Sequence, residues 1–348
     1  MKFKIGSSLI GENNKAFIIA EIGVNHNGEY SLAKKLIDQA ILCGADCVKF
    51  QTFTAGNVVT KNTKLAKYQI KNKVKEKNQF DMLKNLELSK NDFKKLFLYC
   101  KKRKIEFLST PASFQDVNFL DKLGVNSFKL ASMHASEPEF IRYVASKNKP
   151  LIASTGMCTS SEVKEMSKII KKTKNKKVCI MQCTSNYPSI IEDSNINVLK
   201  EYKKFGFVLG YSDHTTSDIS AITALALGAK VFEKHFTLNK KMKGPDHKAS
   251  VNPKELKRYI QNIRLAEKAL GSHIKKPTKN EKNTRLIARR SLAVSQKISK
   301  GEKVTIEKIK FIRPASGIQI KYLKFVLNKK VKNDLNENEF IKWKNLEK

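Results

Sequence analysis

Two lysines stand in apolar surroundings: Lys49 in GADCVKFQTF (44–53) and Lys129 in FKLAS (128–132). An ammonium carried on an apolar strand is costly unless an anion meets it, so the pair points to a phosphate or a carboxylate. Hydroxyl and amide side chains recur at comparable places: Gln51, Thr110 in LSTPAS, Ser132, Ser154 in IASTGM, Ser185 in CTSNYPS and Ser212 in GYSDHT. Such groups add hydrogen bonds around an anion whose charge the lysines balance. Glu21, in AEIGVNHNG (20–28), adds a carboxylate that can act as a general base or orient a hydroxyl. Two histidines form a second pair, His214 in GYSDHT and His235 in EKHFT. On neighbouring strands about 5 Å apart, two imidazoles can share one divalent ion, with oxygens or water completing its shell. Imidazole suits zinc, iron and manganese alike, so the pair does not name the metal. His26 reads as structural, and His247 and His273 fall in loops with little signal.

The elements that would bring these residues together are legible in the pattern. Apolar runs ending in polar clusters predict strands at 17–24, 47–51, 105–109, 127–131, 151–154, 178–182, 207–211 and 230–233. Helical spacing fills the gaps, at 31–43, 91–103, 114–123, 137–147, 160–172, 194–203, 217–227 and 253–270. Eight alternations predict a TIM (β/α)8 barrel, whose strand ends converge on one face. Counted on that rim are also Asn25, Asn27, Ser109, Thr155, Gln182, Thr184, Asp213, Glu233 and Lys234. No glycine-rich phosphate loop follows the first strand, which argues against a doubly wound sheet. The polar insertion at 54–80 is expected at the active site, as long βα loops are. The predicted domains are a barrel over 1–270, a polar linker at 271–286 and a small, mostly β domain over 287–348.

The chain has 348 residues and 41% hydrophobic content, enough for a packed core. It has no apolar run near the ~20 residues of a membrane span, and its first residues lack a signal-peptide core. A cytoplasmic protein without a membrane partner is expected. Lys and Arg number 68 against 32 Asp and Glu, a net charge of +36. Only eight of the 68 are arginine, the residue that base and phosphate recognition favours. The excess reads as a solvated lysine surface, with no specific nucleic-acid partner. Six cysteines without a CxxC pair read as free, mostly buried thiols.

Taken in order, these motifs, with GPDHKAS (244–250), RRSLAV (289–294), KGE (300–302) and IRPASGI (312–318), resemble the sialic acid synthase family. Its members condense phosphoenolpyruvate with an N-acylated aldose. The resemblance implies a TIM barrel followed by an antifreeze-like (SAF) domain, swapped onto the partner's barrel in a homodimer. It implies phosphoenolpyruvate contacts at Lys49, Thr110, Lys129, Ser132, Ser154 and Ser212, with Gln51 nearby. His214 and His235 would hold a divalent metal, manganese first, with magnesium or cobalt as alternatives. On the sugar side it implies Glu21, Tyr187, Asp246 and the partner subunit's Arg313. Two departures concern the sugar. Ser132-Met133-His134 stands where Ser-Gly-Glu is common, and Ser185-Asn186 where Asn or Thr-Glu precedes Tyr-Pro. The expected activity is an N-acetylneuraminate-type synthase acting on an N-acetylmannosamine-like sugar. The alternatives are a legionaminic, pseudaminic or other nonulosonic acid synthase and, more remotely, a non-catalytic carbohydrate-binding module.

Overall fold

The computed structural model describes the chain except residues 67–68, 71–73, 75 and 348. It divides into two compact units, Met1–Gly271 and Ser272–Lys348. The first opens with an antiparallel hairpin, β1 (Lys2–Ile5) and β2 (Ser8–Gly11), which lies outside the predicted strands. Eight parallel strands follow: β3 (Phe17–Gly23), β4 (Cys47–Thr52), β5 (Glu106–Pro111), β6 (Phe128–Leu130), β7 (Leu151–Ser154), β8 (Val178–Cys183), β9 (Val208–Asp213) and β10 (Ala229–His235). They hydrogen-bond in the order β5-β4-β3-β10-β9-β8-β7-β6, and β5 lies beside β6 to close the ring.

Strand alternation sorts the side chains into two cores. Phe17, Ile19, Cys47, Leu108, Ile152, Cys179, Met181, Val208 and Val231 point inward, where Phe3, Ile5 and Ile10 of the hairpin join them. The hairpin therefore plugs the N-terminal end of the barrel. The alternate residues, such as Ile18, Val48, Phe107, Leu130, Ala153, Ile180 and Phe232, face the outer helices.

The helices start and stop where their sequences dictate. Ser89, Ser113, Thr159 and Asn252 cap helices Lys90–Arg103, Phe114–Leu123, Ser160–Lys172 and Pro253–Leu270, each accepting from a backbone amide three residues on. Gly44 and Gly124 end two helices at φ +90° and +88°, which glycine adopts without strain. The helix predicted at 194–203 is shorter, Val198–Tyr202, because Asn195 sits at φ +44° and breaks the helical path before it. The 54–80 insertion forms a turn at Ala55–Asn57, and helix Gln79–Leu86 begins at its end. Residues 67–68, 71–73 and 75 of it lie outside the described residues.

In the second unit, β11 (Ser291–Val294) pairs antiparallel with β12 (Ile309–Ile312) over a small core of Leu292, Val294, Ile298, Val304, Ile318, Val331 and Ile341. Part of the stretch read as a linker is a helix, Glu281–Ala288. Its first turn is stabilised locally, since the Glu281 carboxylate accepts from the Thr278 amide and the Thr278 hydroxyl accepts from the Glu281 amide. Among the described residues no helix is long and apolar enough to cross a membrane.

Candidate active site

The inward-facing positions turn from apolar to polar toward the C-terminal ends of the strands other than β8, whose inward residue there is Cys183: Glu21 on β3, Lys49 and Gln51 on β4, Thr110 on β5, Lys129 on β6, Ser154 on β7 and Ser212 on β9. β10 contributes both Glu233 and His235. Register sets them side by side, with Glu21 opposite Lys49 on one flank and His235 on the other, and Glu233 opposite Ser212. They line a cavity of about 460 Å³ at the C-terminal end of the barrel. Gln51, Ser132, His134, Ser185, Tyr187, His214 and Asp246 line it too, so every candidate read from the first unit's sequence reaches one cavity. Arg313 belongs to the second unit, exposed just beyond β12. Phe53, Val58 and Leu83 bring the insertion and its following helix to the same cavity.

The floor is a buried charge quartet. Lys49 Nζ lies 2.9 Å from Glu21 Oε2 and 3.7 Å from Glu233 Oε2, and donates to Thr110 Oγ1 at 2.9 Å. Lys129 Nζ is 3.3 Å from Glu233 Oε1, which also accepts from Ser212 Oγ at 3.0 Å. Gln51 Nε2 donates to Glu21 Oε1 at 3.3 Å. Burial pushes the Glu21 carboxyl up to about 7, despite Lys49 beside it. Burial acts on Glu233 in the same direction, but Lys129 and Lys49 outweigh it and hold that carboxylate low. Burial lowers Lys129, with Glu233 offsetting only part, whereas Glu21 and Glu233 outweigh burial at Lys49 and raise it. One carboxyl is thus poised to exchange a proton near neutrality while the other stays ionised.

His214 and His235 stand above this floor with ring centroids 5.4 Å apart, and the Tyr187 ring packs against His214 at 4.3 Å, tilted by 40°. His214 Nδ1 donates to the Thr184 carbonyl at 2.6 Å. A carbonyl only accepts, so Nδ1 carries the proton and Nε2 keeps the lone pair a metal requires. His235 Nδ1 is buried with no hydrogen-bond partner among the described residues. Both observations fit a divalent ion held by the two rings. No cluster of three or more metal-binding side chains occurs among the described residues. Water or substrate oxygens would have to complete the shell, the pattern of a catalytic rather than a structural ion.

Not all the polar residues counted on the rim face the cavity. Ser109 bonds Thr52 at 2.7 Å, Gln182 donates to the Ser194 carbonyl, and Lys234 pairs with Asp213 at 2.9 Å. Each sits at the outward parity of its strand and serves the barrel–helix layer. Thr155 bonds Tyr202 there, and Thr184 donates to the Asp193 carbonyl. Asn25 anchors Phe236 and Ser250. His26 accepts from the Gly28 amide, in keeping with its structural reading. His247 carries more than its loop position suggested: buried, it bonds Thr237 at 2.6 Å and Asn27 at 3.1 Å, fixing the loop that presents Asp246. Burial pushes Asp246 up to about 6.

Glu233, counted on the rim from the sequence but given no role there, proves central to the floor. The usable signal was parity, since it lies two residues before His235 and therefore on the same face. Cys183 also lines the cavity, its Sγ 3.9 Å from His214 Nδ1. Gly156 lets the two hydroxyls close in: a Cβ there would lie 2.2 Å from Ser185 Oγ and 2.9 Å from Ser132 Oγ and would push them aside.

Residues 36–275 match the NeuB family model, and residues 289–347 match the SAF domain. The chain belongs to the NeuB family. Among relatives of this NeuB chain is the N,N'-diacetyllegionaminic acid synthase of Campylobacter jejuni, 40% identical over 94% of this chain and 99% of that protein. Another is the human N-acetylneuraminate-9-phosphate synthase, 35% identical over 86% of this chain and 83% of that protein. A crystal structure of the N-acetylneuraminic acid synthetase of Leptospira borgpetersenii, in complex with citrate, superposes with a TM-score of 0.74. It is 30% identical and covers 82% of this chain and 95% of that one. The NeuB assignment agrees with the resemblance read from the motifs, and the (β/α)8 architecture with the strand count.

Proposed function

We propose that this NeuB-family chain condenses phosphoenolpyruvate with an N-acetylated aldose of the N-acetylmannosamine type. The products would be a nine-carbon 2-keto-3-deoxy sugar acid and phosphate. The observation that carries this reading is the pair of buried ammoniums, Lys49 and Lys129, converging with Thr110, Ser154 and Ser212 beneath two histidines in one cavity. A small dianion or trianion suits such a floor better than a neutral ligand does.

In this reading Lys49 and Lys129 hold the phosphate and carboxylate of phosphoenolpyruvate, and Ser132, Ser154 and Ser212 orient it by hydrogen bonds. C3 of phosphoenolpyruvate attacks the aldehyde carbon, and the positive charge left at C2 is taken up by water. The resulting tetrahedral centre collapses to the ketone with cleavage of its C–O bond to phosphate. Of water's two protons, one ends on the new hydroxyl and the other on the departing phosphate. Glu21, raised to about 7, is the carboxylate placed to accept the first of them on an Oε atom. His214 and His235 would hold a divalent metal, manganese first, which supplies Lewis-acid polarisation of the aldehyde oxygen when bound. Tyr187 and Asp246 would position the sugar. In a homodimer with exchanged SAF domains, the partner subunit's Arg313 would donate to the N-acyl carbonyl.

A second reading keeps the chemistry and changes the acceptor to a 2,4-diacetamido sugar of the legionaminic or pseudaminic type. The Met133-His134 departure favours it. Incubation with phosphoenolpyruvate, Mn²⁺ and a panel of acetamido sugars, with products weighed by mass spectrometry, tests both. Phosphate release without a condensed product would refute both.

A further inference from the structure

Resting on the metal role in that reading, we propose that Asp213 and Lys234 are positioning residues for the divalent ion: their buried ion pair clamps the strand ends that carry His214 and His235 and sets the separation of the two rings. The need for a clamp comes from the sheet. Pairing between β9 and β10 ends at Asp213 and Lys234, so His214 lies one residue beyond the last rung. His235 pairs on its other side, with Glu21 of β3. Their carbonyls are anchored apart as well, that of His214 by the Ser189 amide at 2.9 Å and that of His235 by the Val251 amide at 2.8 Å. The His235 ring has no hydrogen-bond partner at Nδ1 among the described residues, so its place depends on its backbone and on the Tyr187 ring 5.6 Å away.

Lys234 bridges this gap. Its Nζ lies 2.9 Å from Asp213 Oδ2 and donates to the Thr215 carbonyl at 2.6 Å. The Thr215 amide and hydroxyl both donate to Asp213 Oδ1 at 2.9 Å. The residue before His235 thus grips the residues on both sides of His214. Tyr259, on helix Pro253–Leu270, packs on the cluster with its ring centroid 5.1 Å from the ammonium.

Stability alone does not call for charge here. The Asp213 and Lys234 side chains are 0% and 3% exposed, and a buried ion pair is often no more stabilising than apolar side chains of similar volume. What a charged, hydrogen-bonded pair adds is direction. Other strand ends in this layer use neutral groups, Thr52 with Ser109 and Gln182 with the Ser194 carbonyl. The ion pair falls between the two histidine-bearing strands, where the next residue of each must reach the same ion. Groups behind metal ligands raise affinity by fixing how the ligands are held.

The double variant Asp213→Asn/Lys234→Met removes both charges together, so neither is left buried and unpaired, and the asparagine oxygen still accepts from Thr215. Titration calorimetry with Mn²⁺ and the visible spectrum of the Co²⁺ form read the site directly. The variant should bind Mn²⁺ about ten- to hundredfold more weakly and shift the Co²⁺ bands, while its melting temperature stays near that of the wild type. At saturating Mn²⁺ its kcat should fall and its phosphoenolpyruvate KM should stay within about twofold, since Lys49 and Lys129 are untouched. Asp213→Asn alone, the milder change, should show the same weakening in smaller measure. An unchanged Mn²⁺ affinity and Co²⁺ spectrum in the double variant, or in Asp213→Asn if only that one folds, would overturn the clamp. Loss of folding in both would overturn it too, by making the pair a stability element. The condensation fails separately: weakened Mn²⁺ binding in the variant, with a wild type that forms no condensed product, would support the clamp and refute the condensation. A wild-type protein that binds neither ion would overturn the clamp and the metal role together.

Discussion

Replacing Lys129 by methionine keeps the length and apolar stem of the side chain and deletes its charge. In the native floor that ammonium lies 3.3 Å from Glu233, and among the described residues Lys49 is the other ammonium paired with the same carboxylate, at 3.7 Å. A unit pair at this separation interacts by roughly 5 kcal/mol at an effective dielectric of about 20, before desolvation is subtracted. Loss of one buried partner at an anion site costs on the order of 2–5 kcal/mol. Glu233 would then repel the incoming phosphate with only Lys49 to screen it. The expected fall in kcat/KM for phosphoenolpyruvate is about 30-fold to a few thousand-fold. Phosphate release under saturating sugar measures it, with circular dichroism to confirm folding. Lys129→Arg should not restore activity, since a planar guanidinium does not fit where a compact ammonium sits between Glu233 and the substrate. A folded Lys129→Met protein with wild-type kcat/KM for phosphoenolpyruvate would refute the placement of the anion on this floor.

Removal of metal by chelation should abolish phosphate release, and Mn²⁺ should restore it; full turnover by exhaustively demetallated protein would exclude the role given to His214 and His235. A base works as its carboxylate, so with Glu21 raised to about 7, kcat should fall as pH drops through 7. Glu21→Gln should lose that limb along with most of the rate, and a pH profile unchanged in shape would remove Glu21 from proton transfer. Arg313→Ala should raise the sugar KM far more than the phosphoenolpyruvate KM. Mixed with a His235→Ala chain, it should regain partial activity, because one site of each heterodimer then has both residues intact. Activity no higher than either parent after proven subunit exchange would show that Arg313 does not act across the dimer.

Much of this was legible from local signals. Barrel strands such as 151–154, and helices such as 160–172 and 253–270, are bounded by caps, glycines and apolar periodicity, all of which act over a few residues. The lysine and histidine candidates were readable for a related reason: a charged or ligating side chain on an apolar strand has few purposes. The N-terminal hairpin was not readable, because four-residue strands with partial alternation are convincing only once Phe3, Ile5 and Ile10 have the barrel interior to fill. Helix 281–288 was hidden in a polar stretch whose hydrogen bonds are local but whose apolar periodicity is weak.

Residue type, order and strand parity, all properties of the sequence, determined that a rim bearing lysine, hydroxyl and imidazole side chains would stand at the end of a (β/α)8 barrel. Which polar residues of that rim face inward was decided by the closed sheet. The strand ends are where small changes in register matter, so Ser109, Gln182, Asp213 and Lys234 serve the outer layer while Glu233 enters the floor. The split between Glu21, raised, and Glu233, lowered, also belongs to the tertiary structure alone. The two carboxylates are identical in chemistry and both buried; Lys129 and Lys49 together hold Glu233 low, whereas burial prevails at Glu21, where Lys49 is opposed by the charge of Glu233.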